Sequence, residues 1–296
     1  MRTARWDQIK RMIDRVDIVV EVIDAREPEY TRSRRLEEYV LKKGKALIIT
    51  LNKCDLVPEH TAKGWEKRFS AEGLTCICTS SKSMDGIDRL KELILKYARS
   101  RGTATAYRKE MTAGSTMLQI PRSIARKRSR VSMAIVVGYP KTGKSSIINT
   151  LRRRHGASTS PVPGSPGYTR GMQMFRIARN LYMYDTPGML PIDLEHVDPV
   201  AYAVRCNAPE ELSDPVKPAL KLIERILAHN PDAVRDAYGI STTNPYEVLE
   251  EIASKRGWFY KSDREPLVEE AARAVIRDYH AARLNFYIPP PPPPSS

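Results

Sequence analysis

Gly138-Tyr139-Pro140-Lys141-Thr142-Gly143-Lys144-Ser145 has the spacing GxxxxGK[ST], set between a β-branched run over 131–137 and the apolar positions Ile147, Ile148 and Leu151. Between a strand and a helix, such a loop turns successive backbone N–H groups inward. Together with the helix N-terminus they hold phosphate oxygens. Lys144 is expected to reach the β- and γ-phosphates and Ser145 to ligate Mg²⁺, with Ser146 completing the contacting set. Asp185-Thr186-Pro187-Gly188 follows at the end of another apolar run and fits DxxG. Asp185 would hold the metal through water, and the Gly188 N–H would meet the γ-phosphate.

A second pair of loops has the chemistry to choose a base. Asn52-Lys53-Cys54-Asp55 matches NKxD. The Asp55 carboxylate can accept from guanine N1–H and the 2-amino group, two donors that adenine lacks, so a wrong base leaves the carboxylate unpaired. The Lys53 stem is expected along the base plane, and Asn52 is expected to tie this loop to the phosphate loop. Ser80-Ser81-Lys82 is comparable to an SAK loop, whose backbone N–H reads guanine O6.

Positioning these loops requires parallel strands that end together. Apolar runs at 17–24, 45–51, 74–79, 131–137 and 181–184 predict strands. Helical spacing over 31–43, 64–72 and 87–97 predicts the helices between them. Alternation of this kind implies a doubly wound, mainly parallel α/β sheet. The base loops precede the phosphate loop in the chain, the reverse of the order in Ras-like proteins, and no second NKxD follows Gly188. The domain is therefore expected to be circularly permuted over 1–198, which leaves the site intact because all its loops lie at strand carboxyl ends. From 199 to 288 the apolar positions suit a small all-α domain of three amphipathic helices, and prolines 289–294 predict an extended tail over 289–296.

Composition narrows the partners. With 41% apolar and 28% charged residues the chain is neither disordered nor fibrous, and no apolar run suits a bilayer span or a secretory signal. A cytoplasmic protein without a membrane partner is expected. Its four cysteines lack zinc spacing and are expected to be reduced thiols, with Cys76 and Cys78 burying on one strand face. The net charge of +14 comes from one stretch: residues 99–176 hold sixteen basic residues and a single acid, Glu110. Concentration in one place, including a connector over 99–131, favours a nucleic-acid partner.

Asp24-Ala25-Arg26-Glu27-Pro28 (DARxP), the NKxD, the phosphate loop, Pro166-Gly167-Tyr168-Thr169-Arg170 (PGxT) and the Asp185 motif together resemble the circularly permuted GTPases of YlqF/RbgA type, with their archaeal and eukaryotic relatives. The resemblance covers most of the chain. It implies a GTPase that assists large ribosomal subunit assembly by binding ribosomal RNA, with Thr169 as the switch threonine that closes on Mg²⁺ and the γ-phosphate. Two departures bear on hydrolysis. Arg5-Trp6-Asp7-Gln8 lacks the His found near the start of bacterial members, and Lys141 replaces the Asn that binds K⁺ in many. Lys141 could supply that positive charge itself as a catalytic group, or simply face solvent or RNA. Met189 follows Gly188 where Ras-like enzymes carry a water-positioning Gln, so slow turnover is expected. A GTP-dependent binding module with negligible hydrolysis is the alternative.

Overall fold

The computed structural model describes residues 6–101, 131–153, 173–185 and 204–292. Six strands, β1 (Ile18–Asp24), β2 (Ala46–Asn52), β3 (Thr75–Thr79), β4 (Ser132–Val137), β5 (Gln173–Ala178) and β6 (Leu181–Asp185), form one sheet in the order β3-β2-β1-β4-β6-β5. Every residue of β1, β2 and β4 is buried, as β-branched runs are when helices cover both faces of a sheet.

The period of two sorts those residues. Val19, Ile23, Ile49, Leu51 and Ile135 face a core shared with α1 (Trp6–Asp14), α3 (Arg34–Lys42) and α4 (Glu59–Ala71). Val20, Val22, Ile48 and Val136 face the other, shared with α5 (Ile87–Arg101) and α6 (Lys144–Arg153). Residues 31–43 are not one helix. A single turn, α2 (Pro28–Thr31), is followed by an extended Arg32, and Ser33 then caps α3 by accepting from the Leu36 N–H. Likewise α4 begins at Glu59, ahead of the expected 64, and α5 runs on to Arg101, into the stretch expected to be connector; residues 102–130 lie outside the described residues.

Four strands run parallel to β1 or to one another, and β5 is antiparallel to β6, joined through Arg179 and Asn180. Sheet order reverses between β1 and β4: the chain builds outward from β1 to β3 on one side, and from β4 to β6 and β5 on the other. Such a switch point opens a crevice at the strand carboxyl ends.

The second body has its own core. Helices α7 (Val216–His229), α8 (Asp232–Tyr238), α9 (Pro245–Lys255) and α10 (Val268–His280) bury Ile223, Ile226, Val234, Leu249, Ile252, Val275 and Tyr279. The short α8 is a helix beyond the three expected. After α10 the chain returns to the first body. The Ile288 N–H donates to the Arg26 carbonyl at 2.7 Å, the Trp65 indole N–H donates to the Ile288 carbonyl at 2.9 Å, and Pro290 lies over Gly64. The start of the proline tail is thus seated on α4; residues 293–296 are outside the described residues. Among the described residues no helix is long and apolar enough to cross a membrane, and no His, Cys, Asp or Glu cluster is arranged to hold a metal. All four cysteines are free, and Cys76 and Cys78 are half-buried against the α4 side of the sheet.

Candidate nucleotide site

Register brings the loops together. Asp24 pairs with Asn52, Asn52 with Thr79, and Val136 with Asp185, so DARxP, NKxD, the Ser80 loop, the phosphate loop and the Asp185 motif all leave one edge of the sheet. Asn52 is fully buried and joins three of them. Its Nδ2 donates to the Thr142 carbonyl at 2.7 Å, while its Oδ1 accepts from the Ser81 N–H at 3.3 Å and the Thr79 hydroxyl at 3.4 Å. The expected tie from base loop to phosphate loop is present, and it extends to the Ser80 loop. There the buried Ser80 hydroxyl accepts from the N–H groups of Lys82 and Ser83, and the Ser80 N–H donates to the Asp85 carbonyl.

Close approach dictates the glycines of the phosphate loop. A Cβ on Gly143 would lie 2.2 Å from Asn52 Nδ2, and one on Gly138 would lie 2.2 Å from the Val22 carbonyl oxygen; both residues have positive φ. Tyr139 is buried, and its carbonyl accepts from Lys144 Nζ at 2.6 Å and from the Thr142 hydroxyl at 2.8 Å. Lys144 therefore lies along the loop, bonded to its rim. Pro140 precedes Lys141, which holds the left-handed conformation at φ 62°. Ser145 and Ser146 are exposed in the first turn of α6.

Lys141 has partners that the sequence does not indicate. Although the residue is exposed, its ammonium is engaged by the helical body: it donates to the Asn207 carbonyl at 3.0 Å and meets the His280 ring at 3.2 Å. His280 Nε2 lies 2.7 Å from the Val204 carbonyl, an acceptor only, so Nε2 carries the proton and Nδ1 presents a lone pair to Lys141. Burial and the Lys141 charge push the His280 imidazole down to about 4. The helical body thus touches the phosphate loop directly.

Lys53 has its ammonium bonded to Asp24 Oδ2 at 2.8 Å. Asp24 belongs to a buried cluster that joins the two bodies. Arg26 donates to both Asp24 oxygens and to the Tyr279 carbonyl. Arg205 donates to Asp24, to Glu27 at 2.8 Å and to the Tyr279 hydroxyl, and Arg225 donates to Glu27 at 2.8 Å. Burial alone would raise the Asp24 carboxyl, but the charges of Arg26, Lys53 and Arg205 outweigh it and hold it well below the usual range. Arg205, Arg225 and Tyr279 carry no motif; the only signal was Asp24-Ala25-Arg26-Glu27-Pro28 itself.

Asp55 sits in a 3-10 turn, Cys54–Leu56, exposed and with no polar partner among the described residues. It lines a cavity of about 490 Å³ whose far wall is the segment after α10, including Arg283, Asn285 and Tyr287. The backbone of Asp185 ends β6; Thr186, Pro187, Gly188 and Thr169 lie outside the described residues.

Comparison with known proteins agrees with this layout. Residues 133–232 match the 50S ribosome-binding GTPase family. An uncharacterized GTP-binding protein of Methanocaldococcus jannaschii is 32% identical over 280 residues, covering 94% of this chain and 65% of that protein. The nucleolar GTP-binding protein 2 of Yarrowia lipolytica is 30% identical, covering 96% of this chain and 50% of its own. The chain thus spans between half and about two thirds of these relatives' length. Among solved structures, GNP-bound YlqF from T. maritima matches with TM-score 0.57 and 24% identity over 95% of both chains, and GDP-bound YlqF with TM-score 0.54 and 24% identity over 93% of this chain and 95% of that one. With base loops first and phosphate loop second, the chain has the fold of the circularly permuted P-loop GTPases and is similar over most of its length to GTP-binding proteins.

Proposed function

We propose that the protein binds GTP and GDP with Mg²⁺, hydrolyses GTP slowly to GDP and phosphate, and uses the change as a switch on RNA during large ribosomal subunit assembly. The observation that carries the nucleotide reading is Asn52, whose amide holds the base loop, the Ser80 loop and the phosphate loop in one constellation. Guanine is read by the outward Asp55 and by the Ser80-Ser81-Lys82 backbone, and phosphates by the loop from Gly138 to Ser146. Lys144 exchanges the Tyr139 carbonyl for phosphate oxygens. The donor set suits a hard cation: the Ser145 hydroxyl stands at the N-terminus of α6, and β6 delivers Asp185 to the same edge. Bound there with Thr169, Mg²⁺ would neutralise charge on the β- and γ-phosphates. Met189 cannot orient water, which supports slow intrinsic turnover and a partner-supplied group.

The ribosomal reading is supported by the name of the matched family and by nucleolar relatives, which also favour a nucleolar-type assembly site over a plain cytoplasmic one. RNA contact belongs to the 99–176 window. In the helical body Arg277 is paired with Glu210 and Glu270, Arg256 and Arg283 with Asp278, and Lys255 with the Tyr238 and Gly239 carbonyls, so these cations are engaged internally. The test is co-sedimentation of the protein with large ribosomal subunits in a GTP analogue and in GDP, expected to be tighter with the analogue; no association in either state overturns the ribosomal reading. Replacing Arg126, Lys127, Arg128 and Arg130 by Ala should flatten the log–log salt dependence of RNA binding by about 0.7–0.9 for each phosphate no longer neutralised. An unchanged slope removes this patch from the interface. The placeholder alternative, favoured by Met189, requires that single-turnover cleavage stay negligible even with subunits present.

A further inference from the structure

Asp24 and Lys53 lie at the ends of neighbouring strands, and their ion pair is short and secluded. Asp24 is fully buried and its N–H donates to the Thr31 hydroxyl at 2.9 Å, which fixes the end of β1. One carboxylate oxygen accepts from the Arg26 backbone N–H and Nε, both at 3.1 Å. The other accepts from Arg26 Nη2 at 3.0 Å, Lys53 Nζ at 2.8 Å and Arg205 Nη1 at 3.3 Å. Lys53 itself stands in the left-handed region at φ 68°, a conformation that a non-glycine residue keeps only where its surroundings hold it.

A purely structural knot between the two bodies would not need Lys53. Arg26 already satisfies both Asp24 oxygens and the Tyr279 carbonyl, and Arg205 already links Asp24 to Glu27 and Tyr279. Lys53 is the member of the cluster that belongs to a nucleotide loop, and two residues after it Asp55 faces outward. Its stem is fixed at its far end because its ammonium is tethered to Asp24, at the end of the neighbouring strand. The pull on it depends on how strongly Asp24 is occupied by Arg205, a residue of the helical body that is itself buried and stacked 5.5 Å from the Tyr279 ring centre.

We propose that Asp24 is a positioning residue of the guanine site, holding the Lys53 stem where it meets the base, and that Arg205 tunes that hold from the helical body. This rests on the guanine-nucleotide reading above. The affinity for guanine nucleotide and the seating of the helical body then share one carboxylate, and linkage requires each to respond to the other.

The test is a double-mutant cycle on the full chain, reading the dissociation constant of a fluorescent GDP. Asp24→Asn and Lys53→Ala should each weaken binding about ten- to hundred-fold, and the double variant should be no worse than about two-fold below the weaker single. Losses that multiply mean that Asp24 acts on stability alone and overturn the proposal. Where Asp24→Asn does not fold, Arg205→Met takes its place. It should weaken GDP binding about three- to ten-fold in the parent and by less than about two-fold in Lys53→Ala; equal losses in both backgrounds overturn the proposal. A parent protein that prefers ADP would overturn the guanine reading, whereas guanine preference with a multiplying cycle overturns only the role of Asp24.

Discussion

The two halves of the nucleotide site are held in different ways. On the base side the loops are bonded to one another: Asn52 and Ser80 are buried and use their polar atoms on neighbouring backbone, which leaves the Asp55 carboxylate facing out. On the phosphate side the loop is shaped by glycines, but its two cations are bonded to protein, Lys144 to the Tyr139 carbonyl and Lys141 to Asn207 and His280. On the proposed function, base choice is therefore preorganised, whereas phosphate binding would be an exchange in which an anionic oxygen outcompetes a neutral carbonyl. Charge-assisted hydrogen bonds favour the anion. The exchange also reaches further, because one of the two cations is anchored on the helical body.

The most severe way to break this contrast is Asp55→Asn. If the base side is a rigid reader, GTP affinity should fall roughly 10²–10³-fold, through the loss of two charge-assisted bonds, and xanthine nucleotide binding should improve. Isothermal titration with both nucleotides checks it, and unchanged selectivity refutes it. Next in size is Gly143→Ala. The added Cβ meets Asn52 Nδ2 and the φ of +97° is strained for alanine, so both halves should lose register. GDP affinity should fall about tenfold or more and the melting temperature should drop, consistent with about 1–3 kcal/mol of strain. A variant that binds normally would mean that Asn52 is not the joint.

The phosphate side gives smaller effects. Lys141→Ala removes one anchor of the helical body, worth about 0.5–1.5 kcal/mol of stability by thermal melting. If its ammonium also neutralises charge in the transition state, kcat falls with little change in GTP affinity, and turnover does not distinguish K⁺ from Na⁺. Full activity in Lys141→Ala, or K⁺ stimulation of the parent, removes the catalytic role and leaves the anchor. The smallest effect is a pH dependence. His280 is held neutral, from an ordinary 6.5 down to about 4, so the unfolded chain takes up a proton between those values and the folded one does not. Its contribution is complete above about 6.5 and is lost as pH falls toward 4. His280→Asn should flatten that part of the stability profile; the buried carboxylates Asp24 and Glu27, held low, give way only at lower pH.

What could be read from the sequence divides along a similar line. NKxD, the phosphate loop and their strands are local patterns, and their spacing carried the sheet and the permutation. Asn52 was legible as a tie because its motif implies a partner loop. Arg205 and Tyr279 were not, since they meet Asp24 and Glu27 only after more than 170 residues of intervening chain have folded, and nothing near Arg205 marks it. Lys141 was legible as an exception to a family pattern, but its partners, Asn207 and His280, were not. Strand β5 escaped because its alternation is broken: Met174 and Phe175 are both buried beside a register shift at Arg176 and Ala178. Helix α8 is too short to show a period. Helix α1 could have been read from Ile9, Met12 and Ile13, which fall on one face.

The seat of Ile288 on Arg26 and Trp65 gives the helical body a further attachment, beyond the Arg205 cluster and Lys141. A body joined by one covalent link can swing about any axis through that link. Held at these separate points as well, the helical body has no such freedom while all of them stay closed. Swinging it requires opening several of them together, as a door barred in three places stays shut when one bar is drawn, and because Ile288 also packs against both cores, cutting the chain there would draw one bar and loosen both.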